Sequence, residues 1–126
     1  MNNIMSIHKQ QLGKEGEEIA AAHLIKEGYK ILVRNYRSGR AEIDIIAMRD
    51  DILIIIEVKT RETDAYGNPE EAVGSNKVNM LAQGAEDYLL DNNLHNNVRY
   101  DIVSVIKNQY KTEVHHLEDA FWPGLY

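Results

Sequence analysis

The sequence contains no cysteine, which excludes a disulfide framework and any thiolate metal site and fits a reducing compartment. Its start, "MNNIMSIHKQQLGKEGEE", has no basic segment leading into an apolar core, and no apolar run reaches membrane-spanning length. A soluble cytoplasmic protein is therefore expected. Low complexity, internal repeats and an excess of proline or glycine are also lacking, so disorder is expected only at the ends. Positive charge is in short supply: 14 Lys and Arg stand against 20 Asp and Glu, a net charge of −6. This argues against broad adhesion to nucleic acid, whose affinity comes largely from phosphate neutralisation by Lys and Arg. A local basic rim of Arg34, Arg37, Arg40, Lys59 and Arg61 remains compatible with that balance.

What is present is an ordinary globular composition over 126 residues, enough for one core and too little for two. Residues 1–12 are expected as a flexible tail and 13–126 as a single domain. Gly13 to Glu27 reads as a helix stopped by Gly28, with Ala20, Ala21, Leu24 and Ile25 as its inward stripe and Glu17 near the middle of that stripe. "YKILVRNY" (29–36), "EIDIIAM" and "ILIIIEVK" read as strands. The third is apolar without alternation through Ile56, which predicts a central strand covered on both faces. A long connection over 60–75 precedes a helix over 76–90 capped by Ser75, with Val78, Leu81, Ala82, Ala85 and Leu89 at helical spacing. "VRYDIVSVI" (98–106) and "KTEVHHL" (111–117) close the chain as a hairpin. The order predicts an α/β fold: an antiparallel meander, a helical crossover to a fourth strand, and a mixed central sheet flanked by helices.

Four charged residues interrupt the greasy strands of "AEIDIIAMRDDILIIIEVKT". If Asp50 and Asp51 are the two central residues of the hairpin turn, Arg49 faces Ile52 and the numbers of paired residues sum to 101. That register sets Asp44 opposite Glu57 and Glu42 opposite Lys59, all on one face. Opposed side chains lie roughly 5 Å apart at Cβ, so two carboxylates so placed repel and one is pushed toward protonation. A divalent cation removes the conflict. Mg²⁺ or Mn²⁺ takes oxygen ligands and keeps several waters, so Asp44, Glu57 and a main-chain carbonyl such as that of Val58 suffice. Lys59 stands where an ammonium orients water and stabilises charge on a phosphorane, and Glu17 reaches the same region. The chemistry expected is phosphodiester hydrolysis. A Glu-x-Lys at a strand end taken alone is more often a solvated face or a cross-strand ion pair, and Glu17 alone a helix-start acid; their convergence with Asp44 carries the functional reading.

Asp44 followed by Glu57-Val58-Lys59 resembles the PD-(D/E)XK nuclease motif. Across about 13 to 121 the chain is similar to the YraN-like family of uncharacterised, endonuclease-like bacterial proteins, through Gly16-Glu17, Asn35-Tyr36-Arg37, Glu42-Ile43-Asp44, Glu57 to Arg61, Gly67, Pro69, Lys77 and Arg99-Tyr100-Asp101, among others. The resemblance implies a restriction-endonuclease-like αβββαβ core like that of Holliday-junction resolvases, and metal-dependent cleavage of nucleic acid, DNA before RNA. It implies catalytic roles for Glu17, Asp44, Glu57 and Lys59 and, by analogy with junction-cleaving relatives, a homodimer. The alternative is a non-catalytic nucleic-acid or protein-binding module that retains the fold. The family's usual glycine before Glu-Ile-Asp is Ala41 here, whose methyl is expected to narrow the backbone's approach to substrate. Arg37, Arg61, Tyr66 and Lys77 are candidate substrate contacts, with a solvated loop or surface lysine as the plain reading. His115 and His116 are neighbours on a strand, face opposite ways and are read as structural.

Overall fold

A computed structural model describes residues 3–63, 65 and 73–123. The elements follow in the order α1 (Asn3–Lys26), β1 (Lys30–Ser38), β2 (Ala41–Arg49), β3 (Ile52–Arg61), α2 (Ser75–Asp91), β4 (Val98–Lys107) and β5 (Thr112–Leu117). The strands form one sheet in the order β1-β2-β3-β4-β5. Its first three strands are an antiparallel meander, β4 lies parallel to β3, and β5 returns antiparallel. β3 is thus central, and Leu53 to Ile56 are fully buried, as expected of a strand whose both faces are covered.

The β2–β3 turn sets the register. Asp50 and Asp51 have φ of +50° and +66°, the pair of left-handed residues that a two-residue hairpin matched to strand twist requires. Arg49 therefore pairs with Ile52, and the ladder runs to Ile45 opposite Ile56. α1 covers one face over Ile45, Ala47, Ile54, Ile56, Val103 and Val105. α2 covers the other over Ile43, Ile46, Leu53, Ile55 and Ile102.

Several expectations change. α1 begins at Asn3 rather than Gly13, so residues 3–12 of the expected tail are helical; Ile4, Met5 and Ile7 there are exposed, which is why no inward periodicity marked this half of the helix in the sequence. Ile25 is 61% exposed. The contact stripe runs through Gly16, Ala20 and Leu24, and Ile25 lies about 140° round from Ala20 at 100° per residue, beyond the sheet's reach. α2 is preceded by Gly74 as its N-cap, without a side-chain cap, and Ser75 is its first residue. Ala41 is buried against α2, where a Cβ built on Gly84 would stand 3.0 Å from the Ala41 methyl. That methyl faces a helix instead of a substrate path, and the bare backbone of Gly84 accommodates it. The long connection is shortened because β3 continues to Arg61; Gly67 and Pro69 lie outside the described residues.

Candidate active site

Beyond Ile45 and Ile56 the β2–β3 ladder ends, whereas β3 stays paired to β4 as far as Arg61. In the opening between β2 and β3 the Val58 amide donates to Asp44 Oδ2 at 2.8 Å. The carboxylate takes the place of a ladder carbonyl, which satisfies a main-chain donor that a buried strand end cannot leave unpaired.

Strand alternation explains how Asp44 reaches the opening. On β2, Ala47 and Ile45 pack toward α1, and Ile46 toward α2. Regular alternation would then send Ile43 to α1, but Ile43 packs toward α2. The pattern breaks at Asp44. β1 breaks at the same level: Arg34 bonds Glu18 of α1, while both Val33 and Tyr36 lie on the α2 side. The residue between is Asn35, at φ +53°, and the pairs Arg34–Ile45 and Tyr36–Ile43 put it level with Asp44. Because both strands break together, the β1–β2 register is kept there.

Asp44 consequently meets groups from both layers. Glu17 arrives from α1, held close because any side chain on Gly16 would collide with Thr60 of β3: a Cβ there would lie 1.8 Å from Thr60 Oγ1. From the sheet comes Glu57, 3% exposed, close enough to bear on the Asp44 carboxyl. Burial first, then Glu57, and more weakly Glu17, push the Asp44 carboxyl up from 3.8 to about 8, against the opposing pull of the Val58 amide. The Asp44 carboxyl therefore favours its protonated form beside a neighbouring acid.

Lys59 Nζ lies 3.8 Å from Glu57 Oε2, and Lys77 Nζ of α2 lies 2.8 Å from the same oxygen. Both are charge contacts; Oε2 is buried and accepts no aligned hydrogen bond. Burial would lower Lys77, but Glu57, Asp44 and Glu42 outweigh it and hold its ammonium above the ordinary lysine value. Lys77, read from sequence as a phosphate contact or surface lysine, is thus an ion-pair partner of a buried acid. Glu42 does not stay with Lys59 as the extended register predicts. It pairs with Arg37 across to β1 at 2.7 Å, because the ladder has opened before it.

Two clefts meet at Asp44 and Glu17. The larger, about 890 Å³, runs between the first half of α1 and the end of β3, with Lys9, Leu12 and Lys59 on its walls. The smaller, about 240 Å³, is lined by Asn35, Arg37, Glu42 and Lys77. His8 of α1 bonds Glu62 across the mouth of the larger at 2.5 Å. Glu17, Asp44, Glu57, Lys59 and Lys77 are brought together, and Arg37 stands on the rim. Arg61 ends β3 opposite Ile106, and Tyr66 lies outside the described residues. Sequence reasoning missed Asn35 as part of the site, although a strand-depleted residue tolerant of left-handed backbone in the middle of "ILVRNYRS" was the available signal.

Asp44 and Glu57 are the hard oxygen donors a divalent ion could take here, and Glu57 Oε2, buried and without an aligned hydrogen bond, has the Lys77 ammonium 2.8 Å away as its counter-ion. Among the described residues no group of three His, Cys, Asp or Glu is placed to hold a metal ion.

Helix, three-stranded meander, crossover helix and parallel fourth strand make this an α/β protein with the nuclease-like αβββαβ core. The chain belongs to the uncharacterised protein family UPF0102, whose model matches residues 16–105. A UPF0102 protein of Christiangramia forsetii is 43% identical over 112 residues, 89% of this chain and 94% of the relative. One of Phocaeicola vulgatus is 40% identical over 116 residues, 92% and 96% of the two chains, and one of Alkaliphilus oremlandii is 38% identical over 115, 89% and 98%. No helix among the described residues is long and apolar enough to cross a membrane.

Proposed function

We propose that this protein is a metal-dependent, endonuclease-like hydrolase of phosphodiester bonds in nucleic acid, acting in the cytoplasm and on DNA in preference to RNA. The observation that carries the reading is the convergence in the opened end of the sheet of Asp44, bonded to the Val58 amide at 2.8 Å, and buried Glu57, with Lys59 Nζ 3.8 Å from Glu57 Oε2. Asp44, Glu57 and a main-chain carbonyl near Val58 would hold Mg²⁺ or Mn²⁺. The bound ion would supply Lewis-acid polarisation of a phosphate oxygen and a lowered water pKa.

The chain's own residues do the rest. Lys59 places an ammonium where charge builds on the transferring phosphoryl group. Glu17, on the α1 side of the same opening, holds a water by hydrogen bonding. Lys77 neutralises Glu57 in the absence of a cation. Arg37 and Arg61, with Tyr66 on the connection that follows, are the proposed phosphate contacts, which a chain of net charge −6 must concentrate locally.

The test is a cleavage screen over linear, flapped and four-way DNA with Mg²⁺ or Mn²⁺. Cleavage should need the ion and should fall at least about a hundredfold in Lys59→Ala, the usual cost of one preorganised transition-state contact, while binding changes less. Equal cleavage by the variant, in preparations free of contaminating nuclease, removes Lys59 from the mechanism. One observation favours the second reading, a non-catalytic binding module: the Lys77 ammonium already sits 2.8 Å from Glu57 Oε2, so the acid has a counter-ion of its own. Under that reading nucleic acid binds without any requirement for metal, and no substrate is cut.

A further inference from the structure

We infer that Asn35 is a positioning residue of the candidate centre: its left-handed backbone turns Asp44 out of the sheet's alternation and into the gap between β2 and β3. The inference concerns the same site and takes Asp44 as its metal-holding acid from the reading above.

Asn35 lies level with Asp44 in the β1–β2 ladder, between the pairs Arg34–Ile45 and Tyr36–Ile43. Alternation fails at both residues and at the same level. Arg34 reaches Glu18 on α1 while Tyr36 stacks edge-on against Tyr88 of α2, with ring centroids 5.3 Å apart. Ile45 packs under α1 while Ile43 packs under α2. A flip in one strand alone would slip the register and expose half the apolar residues of the hairpin. A flip in both leaves the ladder intact and frees one side chain on β2 from facing either helix. That side chain is Asp44, and the freedom is used: its carboxylate lies between the layers, bonded to the Val58 amide at 2.8 Å and lining both clefts. The backbone at the break needs φ of +53° on β1. Asparagine adopts this region several-fold more readily than most residues, and glycine without steric cost. Without the break Asp44 would continue the alternation that Ile45 and Ile46 begin, and would face the α2 layer instead of the opening toward Glu17.

The test compares Asn35→Gly with Asn35→Ala. Both remove the side chain, and only glycine restores the backbone freedom. The readout is hydrogen exchange of the Val58 amide, followed by NMR without metal or nucleic acid, together with Mn²⁺ affinity. In Asn35→Gly the Val58 amide should stay as protected as in wild type. In Asn35→Ala it should exchange about tenfold faster, the scale of one residue's left-handed penalty, and Mn²⁺ affinity should fall by a similar factor. Wild-type protection in Asn35→Ala overturns the inference. Equal loss in both variants also overturns it, since the side chain would then be what matters. Global unfolding of Asn35→Ala counts against it too, because one strained residue costs far less than the stability of a domain. The outcomes separate from those of the proposed function. Loss of Val58 protection in Asn35→Ala, in a protein that neither binds Mn²⁺ nor cuts DNA, upholds the positioning role and ends the nuclease reading. A wild type that cuts, with Asn35→Ala unchanged in every measure, does the reverse.

Discussion

Asp44 and Asp101 are both withdrawn from water in one sheet, and their surroundings push their carboxyls in opposite directions. Asp101, on β4 beside Ile56, is completely buried. Arg99 clasps it through two hydrogen bonds at 2.9 and 2.8 Å, His116 Nε2 lies 2.7 Å from Oδ2, and the Asp119 amide donates to Oδ1 at 2.9 Å. Burial would raise its pKa, but His116, Arg99 and the Asp119 amide outweigh burial and hold it below the ordinary aspartate value. Arg99 also bonds Tyr29 Oη, which donates to Glu118, so the cluster ties β4 to the residues just before β1 and just after β5. Asp44 has one amide donor and an acid for a neighbour, and its pKa rises to about 8, through burial first and Glu57 second. A buried acid whose lone pairs are all met is part of the scaffold. A buried acid set against another acid is pushed toward its protonated form.

The largest effect that tests this contrast is expected at Asp101. Asp101→Ala strands Arg99, His116 and the Asp119 amide, so it should cost about 3–5 kcal/mol in urea unfolding, the usual penalty for breaking a buried pair. A loss below about 1 kcal/mol would show that the cluster is no scaffold. Asp44→Asn should behave otherwise. Its amide oxygen can still accept from Val58 while the repulsion with Glu57 is relieved, so in EDTA the variant should melt level with wild type or higher. With saturating Mn²⁺ wild type should gain RT ln(1 + [L]/Kd), about 2.7 kcal/mol at a hundredfold excess over Kd, and the variant little. A variant that melts lower in EDTA, with metal indifferent to both proteins, would make the carboxylate pair scaffold as well.

The smallest effect is a pH slope. Asp44 in the folded chain titrates near 8, above its ordinary 3.8, so between these values the native state holds more proton than the unfolded one. The stability this gives is complete below about pH 4 and is lost as pH rises through about 8. Asp101 has the opposite sign. Its pKa is lowered from 3.8, so its contribution is complete above that value and is lost as acid protonates it. Melting temperatures in EDTA should therefore slope downward from pH 5 to 8 in wild type, with the slope flattened in Asp44→Asn. Identical slopes in the two proteins would remove the raised Asp44 from the account.

Much of the frame is legible in the chain because it is set by neighbours in sequence. The Asp50-Asp51 turn fixes the parity of β2 against β3, the unbroken apolar run of "ILIII" marks the central strand, and Glu17 stands among the small residues of α1 that touch the sheet. From these the convergence of Glu17, Asp44, Glu57 and Lys59 follows. Glu42 escapes that convergence because the ladder has already opened after Ile45 and Ile56, before it reaches Glu42. The end of α1 at Gly28 is equally local, closed by the amides of Gly28 and Tyr29 on the carbonyls of Ile25 and Leu24.

Other features belong to the fold alone. The paired break at Asn35 and Asp44 depends on two helices drawing Ile43 and Ile45 to opposite faces, which periodicity cannot foresee. Lys77 reaches Glu57 only because the crossover sets the start of α2 over the end of β3. The methyl of Ala41 meets Gly84, 43 residues away in the chain, and Asp101 finds His116 and Asp119 only when β5 folds back along β4. By itself, then, the sequence determined the strands, their order in the meander and which acids share an end of the sheet, since turn parity and hydrophobic period act over a few residues. Whether a given acid is satisfied or left opposed was decided by the tertiary structure, because a buried charge is set by the donors that distant segments bring within hydrogen-bond reach.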